Sequence, residues 1–192
     1  MARDMTEETL MAAYVQGDPQ AFDRLFATLA PAVHGFFLRS FGNKPLADDL
    51  LQTTFLKLHR ARRTYEPTRP LRPWVFTIAA RVRLDELRRR YALPEDADED
   101  KLVAAEEARA VTAEPDAPDG ERAALADQVR AALEKLPESQ RVVVHLHRYE
   151  DLTFGEIAKV LGTTEGAVKL RAFRAYERLR KELAPLLDED PP

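Results

Sequence analysis

The sequence predicts an all-α fold with two small helical domains, and three features of the 192-residue chain support this. Apolar residues recur at helical spacing before residue 94 and after residue 121, and no stretch shows the sustained alternation of a β-strand. The segment between them is acidic, has no aromatic residue and cannot offset the entropy of ordering, which is typical of a flexible linker. The predicted domains are therefore residues 1–93 and 122–187, joined by an acidic linker over 94–121.

Proline, glycine and N-capping residues set the limits of the front helices. The predicted helices lie around residues 10–14, from Asp18-Pro19 to a stop at Gly42-Asn43-Lys44-Pro45, from Pro45 to just before Glu66, and from about Pro73 to Tyr91. The loop Tyr65–Pro73 carries three prolines. Within the linker, Lys101–Val111 could form a turn or two of helix.

The rear domain contains a helix-turn-helix pattern. Its predicted helices are Ala123–Leu136, Gln140–Tyr149, Thr153–Leu161 and Thr164 to about Leu183. Thr153 and Glu156 have the spacing of a capping box, Gly162 suits a left-handed turn, and Thr164 can cap the next helix. This order of signals predicts a helix-turn-helix domain of the winged-helix-like kind.

The second helix of that unit has the pattern of a DNA-recognition helix. Its buried stripe is predicted to be Val168, Ala172, Ala175 and Leu179, and its exposed side to carry Gly166, Lys169, Leu170, Phe173 and Glu177, flanked by Arg171, Arg174 and Arg178. From Lys169 to Lys181 there are six bases and one acid. An ordinary solvated helix would also favour bases near its C-terminus. It would not explain an exposed phenylalanine and leucine, so the pattern favours DNA binding.

The fourth front helix is a second basic surface. Arginines on it and just before it are interleaved with Tyr65 and Trp74, a mixture that suits single-stranded nucleic acid. Trp74 shares an apolar stripe with Ile78, which favours a place in the hydrophobic core. Tyr65 lies in the proline-rich loop and has less core to serve.

The net charge of −4 and pI of about 5.7 hide an uneven distribution. Residues 1–93 hold fifteen bases and ten acids, residues 94–121 hold two bases and eleven acids, and residues 122–192 hold twelve of each. The acidity is therefore confined to the linker. Simple solubility is one explanation of that charge.

Several function classes are excluded or disfavoured. The chain has no cysteine, which excludes disulfides, thiolate metal sites and a cysteine nucleophile. His145 and His147 stand two positions apart on a predicted helix and cannot readily bind one metal ion, while His34 and His59 suit core or solvated positions. With no glycine-rich phosphate loop and no nucleophile motif, neither catalysis nor a cofactor is expected. No apolar stretch reaches the roughly 18 residues of a membrane span, and the start lacks a signal-peptide core, so we expect a cytoplasmic protein without membrane insertion.

The ordered pair of domains resembles a sigma factor of the sigma-70 family, of the small extracytoplasmic-function (ECF) type that keeps regions 2 and 4. The motifs that carry the resemblance are Gly17–Phe22, Ala47–Arg60, Arg72–Ala79 with Leu84–Arg90, Leu136–Arg141, Leu152–Ala158 and Glu165–Ala175. It implies a protein that binds core RNA polymerase and directs transcription initiation by recognising −35 and −10 promoter elements and promoting DNA melting. It also implies an anti-sigma factor as a partner.

The resemblance assigns three sets of residues. The polymerase-binding set is Asp48, Asp49, Leu50, Gln52, Phe55 and Lys57. The set for −10 and single-stranded DNA is Tyr65, Arg69, Arg72, Trp74, Arg81, Arg83 and Arg88. The −35 set is Thr163, Thr164, Glu165, Gly166, Lys169, Leu170, Arg171, Phe173 and Arg174. Three positions depart from the usual pattern: Thr53 replaces an acid, Arg81 an asparagine, and Leu170 a small hydroxyl residue.

Two further hypotheses stay open at this level. A dimeric DNA-binding regulator with the front domain as its sensor would bind duplex DNA tightly without polymerase. In a sigma factor the linker would cross the polymerase active-site cleft or RNA exit path, where its acids could mimic RNA.

Overall fold

The computed structural model describes residues 6–94, 97, 101–105 and 125–187. Its helices are α1 (Glu7–Val15), α2 (Pro19–Phe41), α3 (Lys44–Ala61), α4 (Leu71–Tyr91), α5 (Leu125–Glu134), α6 (Glu138–Arg148), α7 (Phe154–Leu161) and α8 (Glu165–Leu187), with a 3-10 turn at Arg62–Thr64. The predicted all-α class is confirmed: these residues contain no strand, and their helix-turn-helix therefore has no β-wing.

Local capping explains most of the helix limits. Asp18 accepts a hydrogen bond from the Gln20 amide at 2.9 Å, and Gly42 ends α2 with a φ of 64°, which glycine adopts without a Cβ clash. Asn43 then caps α3 through the Leu46 amide at 2.9 Å. The predicted stop therefore also starts α3, with Lys44 and Pro45 in its first turn.

The start of α4 depends on a distant residue. The helix begins at Leu71, two residues before the predicted start, because Pro73 is tolerated in a first turn. No side chain of the preceding loop caps it; instead the Leu71 amide donates to Glu8 on α1 at 3.1 Å. This bond is the largest cause of the lowered pKa of Glu8. Glu8 thus joins α1 to α4 and stabilises the N-terminal end of α4, which carries Trp74.

The front and rear helices share one continuous hydrophobic core. Phe36, Phe37 and Phe76 are fully buried among α1–α4, and Ile157 and Val168 are fully buried between α7 and α8. All five belong to one buried cluster, since α7 packs on α4 and α6 packs on α2. The two groups of helices are therefore in direct contact in this structure.

Part of the predicted linker is packed. Ala97 and Leu102 are fully buried, and Arg88 donates to the Ala97 carbonyl at 2.7 Å. Residues 101–105 are helical, so the helical turn predicted from Lys101 is confirmed over those five residues. The prediction that this acidic stretch buries too little surface to order is wrong for Ala97 and Leu102. The rest of the predicted linker lies outside the described residues.

Across the helices that the structure describes, none has the length and apolar character required to cross a membrane.

Candidate nucleic-acid and protein interfaces

The helix-turn-helix consists of α7, a three-residue turn and α8. Thr153 and Glu156 form the predicted capping box, with Glu156 accepting from the Thr153 amide at 2.9 Å. This bond lowers the pKa of Glu156. Gly162 turns the chain with a φ of 69°, and Thr164 accepts from the Ala167 amide at 3.2 Å to cap α8. Short polar residues therefore fix the angle at which α8 leaves the turn.

The outer face of α8 is apolar at its centre and charged at its edges. Val168, Ala172 and Ala175 are buried as predicted. Leu170 and Phe173 on the other side are 49% and 64% exposed. The exposed members of the predicted −35 set also include Thr164, Glu165, Gly166, Lys169 and Arg174, while Thr163 is half-buried. The face thus presents apolar groups and cations together.

Arg171 does not share that face. Its side chain is 6% exposed, so the prediction that it flanks the outer side of α8 is wrong in this structure. The physical reason is helical geometry: Arg171 lies one position before Ala172 and three after Val168, which places it beside the buried stripe.

The aromatic residues that precede α4 are more buried than the sequence predicts. Tyr65 is a buried residue whose hydroxyl donates to the Arg69 carbonyl at 2.6 Å. Its ring packs on Trp74 at 5.2 Å between centroids. The prediction that Tyr65 has little core to serve is therefore wrong, because the proline-rich loop folds back onto α4. Trp74 is half-buried, and Arg69 is exposed with an ion pair to Glu66.

The arginines of α4 differ in how accessible they are. Arg81 is exposed and lines a groove of about 410 Å³ between α4 and α7. Arg88 is half-buried and pairs with Asp85 at 3.1 Å. Arg72 pairs with Glu7 and with Glu150, which lies in the turn after α6, each at 2.8 Å. Most of these cations are already engaged within the chain.

Arg83 is completely buried. It makes two hydrogen bonds to the carboxylate of Glu138, the first residue of α6, which is itself buried. This bidentate pair joins the helix of the predicted −10 set to the rear helices. The expectation that Arg83 is an accessible DNA-binding cation is therefore wrong for this arrangement, since the rear helices cover it.

The predicted polymerase-binding residues divide between a surface and the core. Asp49 and Gln52 are exposed, and Asp48 is half-exposed beside Lys44 and His34, each at 3.0 Å. The hydrogen bond from Lys44 is the main cause of the lowered pKa of Asp48. Lys57 pairs with Asp85 of α4 at 3.1 Å.

Two residues of that set are buried. Leu50 is 8% exposed, and Phe55 packs on Phe26 at 4.7 Å between ring centroids. Their accessible area is small, so packing that holds α3 against α2 is the structural role that the contacts support.

A further exposed residue on α3 was missed by sequence reasoning. Leu56 is 60% exposed and lies seven residues after Asp49, on the same side of the helix as Gln52. We name the residues Asp49, Gln52, Thr53 and Leu56 the α3 face. The helical spacing from Asp49 is the signal that could have identified Leu56.

A polar network joins the front and rear helices near His145. The Nε of Arg39 donates to Nδ1 of His145 at 2.7 Å, so the ring must carry its proton on Nε2, which lies 3.4 Å from Glu150. Tyr149 stacks on the ring from the same helix end. Burial lowers the pKa of His145, and the charge of Arg39 acts in the same direction while Glu150 opposes both. The packed arrangement therefore needs a neutral His145.

Acidification should weaken this packing. The unfolded chain binds a proton on His145 at a higher pH than the folded chain, so stability falls as pH drops below about 6.5, by at most about 1.4 kcal/mol per pH unit for this one group. Urea unfolding at pH 7.5 and 5.5 measures the loss. The variant His145→Gln, which keeps an acceptor for Arg39, should show a smaller loss. Equal losses in the two proteins would contradict this account.

The fold and these surfaces define a class: an all-helical helix-turn-helix protein with an apolar and basic recognition helix. Comparisons with known proteins specify it further. The family model "Sigma-70 region 2" matches residues 25–92, and "Sigma-70, region 4" matches residues 126–179. RNA polymerase sigma factor CarQ of Myxococcus xanthus is 39% identical, covering 92% of this chain and 97% of the relative.

Two other matches agree. ECF RNA polymerase sigma factor SigM of Mycobacterium tuberculosis is 31% identical over 95% of this chain and 87% of its own length. The structure of CnrH in complex with the cytosolic domain of CnrY superposes with a TM-score of 0.61 at 27% identity, covering 96% of this chain and 99% of that one. The chain therefore belongs to the ECF group of sigma-70 factors and acts in transcription initiation as a DNA-binding, non-enzymatic factor.

Proposed function

We propose that this chain recruits core RNA polymerase through the α3 face, reads the −35 duplex with the first half of α8, and opens the −10 region with α4 and the Tyr65 loop. The observation that carries the proposal is the exposed Leu170 and Phe173 between Lys169 and Arg174 on a capped recognition helix. We assign region 2 to residues 1–93, the linker to 94–121 and region 4 to 122–187.

The −35 contacts divide by chemistry. Lys169 and Arg174 stand at the edges of the exposed face, where cations reach phosphates and fix the register of the helix. The residues at the start of α8 are small or polar, so the end of the helix can enter the major groove. The Thr164 cap at the start of the helix supports this entry.

The −10 contacts depend on α4. Trp74 and Tyr65 form an aromatic pair at its start, and exposed Arg81 lies two turns further along. Tyr65 is the buried member of this pair, so the half-buried Trp74 is the ring on which an unpaired base would stack. Such stacking, with phosphates held by arginines, favours the melted strand over the duplex. The family usually has an asparagine at the position of Arg81. With arginine there, an ionic contact to a DNA phosphate is favoured over an amide contact to a base.

Binding both elements requires α4 and α7 to separate. The elements are centred about 25 base pairs apart, or about 85 Å of B-DNA, whereas a compact chain of this length is only about 40 Å across. The packed arrangement therefore cannot hold both elements at once. The packed arrangement represents the chain before promoter binding. An anti-sigma factor that contacts both regions would be the partner that holds them together.

The acidic linker is proposed to cross the polymerase active-site cleft or RNA exit path, where its acids would oppose nascent RNA. Neutralising those acids should change the yield of abortive transcripts, and an unchanged yield would reject this part of the proposal.

Run-off transcription with core polymerase on genomic fragments, followed by start-site mapping, tests the whole proposal and identifies the elements. The double variant Lys169→Ala, Arg174→Ala should then lower promoter affinity about tenfold and reduce the salt dependence by about 0.9 for each lost phosphate contact. The matched control is Lys181→Ala, which removes an exposed charge near the other end of α8.

Two outcomes would reject the proposal. The first is the absence of a complex between the chain and core polymerase. The second is tight binding of the free chain to duplex DNA as a dimer, which would favour the regulator hypothesis.

A further inference from the structure

We propose that Leu170 is a specificity-determining residue that recognises the C5-methyl group of one thymine in the −35 element, an inference that rests on the proposed reading of that element by α8. Leucine has no hydrogen-bond donor or acceptor, so this position cannot read a base edge as a polar residue would. The thymine methyl is the apolar group that base edges offer in the major groove.

The backbone around Leu170 gives its side chain room to reach a base. Side chains on a helix lean toward its N-terminus, so Leu170 extends over the position four residues earlier, which is Gly166. Gly166 is exposed, and a Cβ built there would have only the Thr164 hydroxyl within reach, at 4.0 Å. No side chain at that position stands between Leu170 and a groove that the start of α8 has entered.

The neighbours of Leu170 favour DNA as the apolar partner. Phe173, three residues later, extends the apolar surface, while Lys169 forms an ion pair with Glu165 at 2.7 Å on the adjacent edge. Arg174 lies four residues after Leu170 and is exposed. An apolar side chain within a charged border suits a thymine methyl next to phosphates, because the methyl group is removed from water while the cations contact the phosphates.

The test replaces each −35 thymine in turn with deoxyuridine, which removes the methyl group and leaves every hydrogen-bonding group in place. Holoenzyme made with the full chain should lose about fourfold in promoter affinity at one thymine, the value of one buried methyl group. Holoenzyme made with Leu170→Ala should bind the thymine and deoxyuridine forms of that promoter equally. Phe173→Ala is the matched control and should retain the methyl effect.

Each other outcome overturns the inference. It fails if no thymine responds, if the response persists in Leu170→Ala, or if only Phe173→Ala abolishes it. A scrambled −35 element separates this failure from that of the proposed function. If scrambling lowers affinity but no deoxyuridine does, only the role of Leu170 is rejected; if scrambling has no effect, the reading of the element by α8 is rejected as well.

Discussion

Linking α4 covalently to α7 is expected to abolish promoter-directed transcription. Because the chain has no cysteine, Asp85→Cys and Lys159→Cys would introduce the only thiols, one on each side of the groove between these helices. A short bismaleimide with a disulfide in its spacer then joins the two thiols and holds regions 2 and 4 together. Since the packed chain is too short to reach both promoter elements, open-complex formation should fall about a hundredfold or more. Reduction of the disulfide in the cross-link should restore it.

The controls for this experiment are internal to the same protein. Each single-cysteine variant treated with the reagent should transcribe like its untreated form, which separates the effect of linkage from that of modification. Core-polymerase binding of the linked chain should be measured in parallel, since the α3 face does not line the groove between α4 and α7. Full transcription by the linked chain would show that the packed arrangement is compatible with initiation.

Local signals made most of the fold predictable. The capping groups of α2, α7 and α8 lie within four residues of the amides that they satisfy, so Asp18, Thr153 and Thr164 mark helix starts in the sequence itself. The exposed side of α8 was predictable for a related reason, because a periodic buried stripe leaves the opposite residues outward.

The contacts between the two regions could not be predicted in this way. Arg83 and Glu138 are 55 residues apart, and neither position differs from an ordinary solvated charge when judged by its neighbours. A buried ion pair is stable only when the full set of hydrogen bonds is present, so it depends on how exactly α6 docks on α2 and α7 docks on α4. Tyr65 is similar: its burial follows from the path of a proline-rich loop, which sequence periodicity does not describe.

The polymerase-binding set shows a different limit of prediction from the sequence. The resemblance marks positions on α3 without separating those that contact a partner from those that hold the helix in place. Only burial makes this distinction: Leu50 and Phe55 face the core, whereas Asp49, Gln52 and Leu56 face outward. The substitution Phe55→Ala would therefore reduce polymerase binding indirectly, because it lowers the free energy of unfolding by about 3–5 kcal/mol.

Substitution on the α3 face should instead reduce polymerase binding without loss of stability. The double variant Asp49→Lys, Leu56→Asp changes two exposed side chains, and surface changes of this kind shift the free energy of unfolding by only about 0.5 kcal/mol. At the centre of an interface each would cost about 2 kcal/mol of binding, so the pair should weaken the affinity for core polymerase about a thousandfold. Fluorescence anisotropy of the labelled chain gives the dissociation constant, and urea unfolding gives the stability.

The matched control is Asp23→Lys, a charge reversal at an exposed position on α2 outside the α3 face. It should leave the dissociation constant unchanged, because one reversed surface charge away from the interface is screened within about 10 Å at 0.1 M salt. An equal loss in both proteins would mean that net charge, not the α3 face, determines the affinity. Full affinity in the double variant would place the contact elsewhere on region 2. A large loss in the double variant alone would place the contact on the α3 face, and a further loss between Asp49→Lys and the double variant would show that Leu56, which the family pattern did not mark, contributes to it.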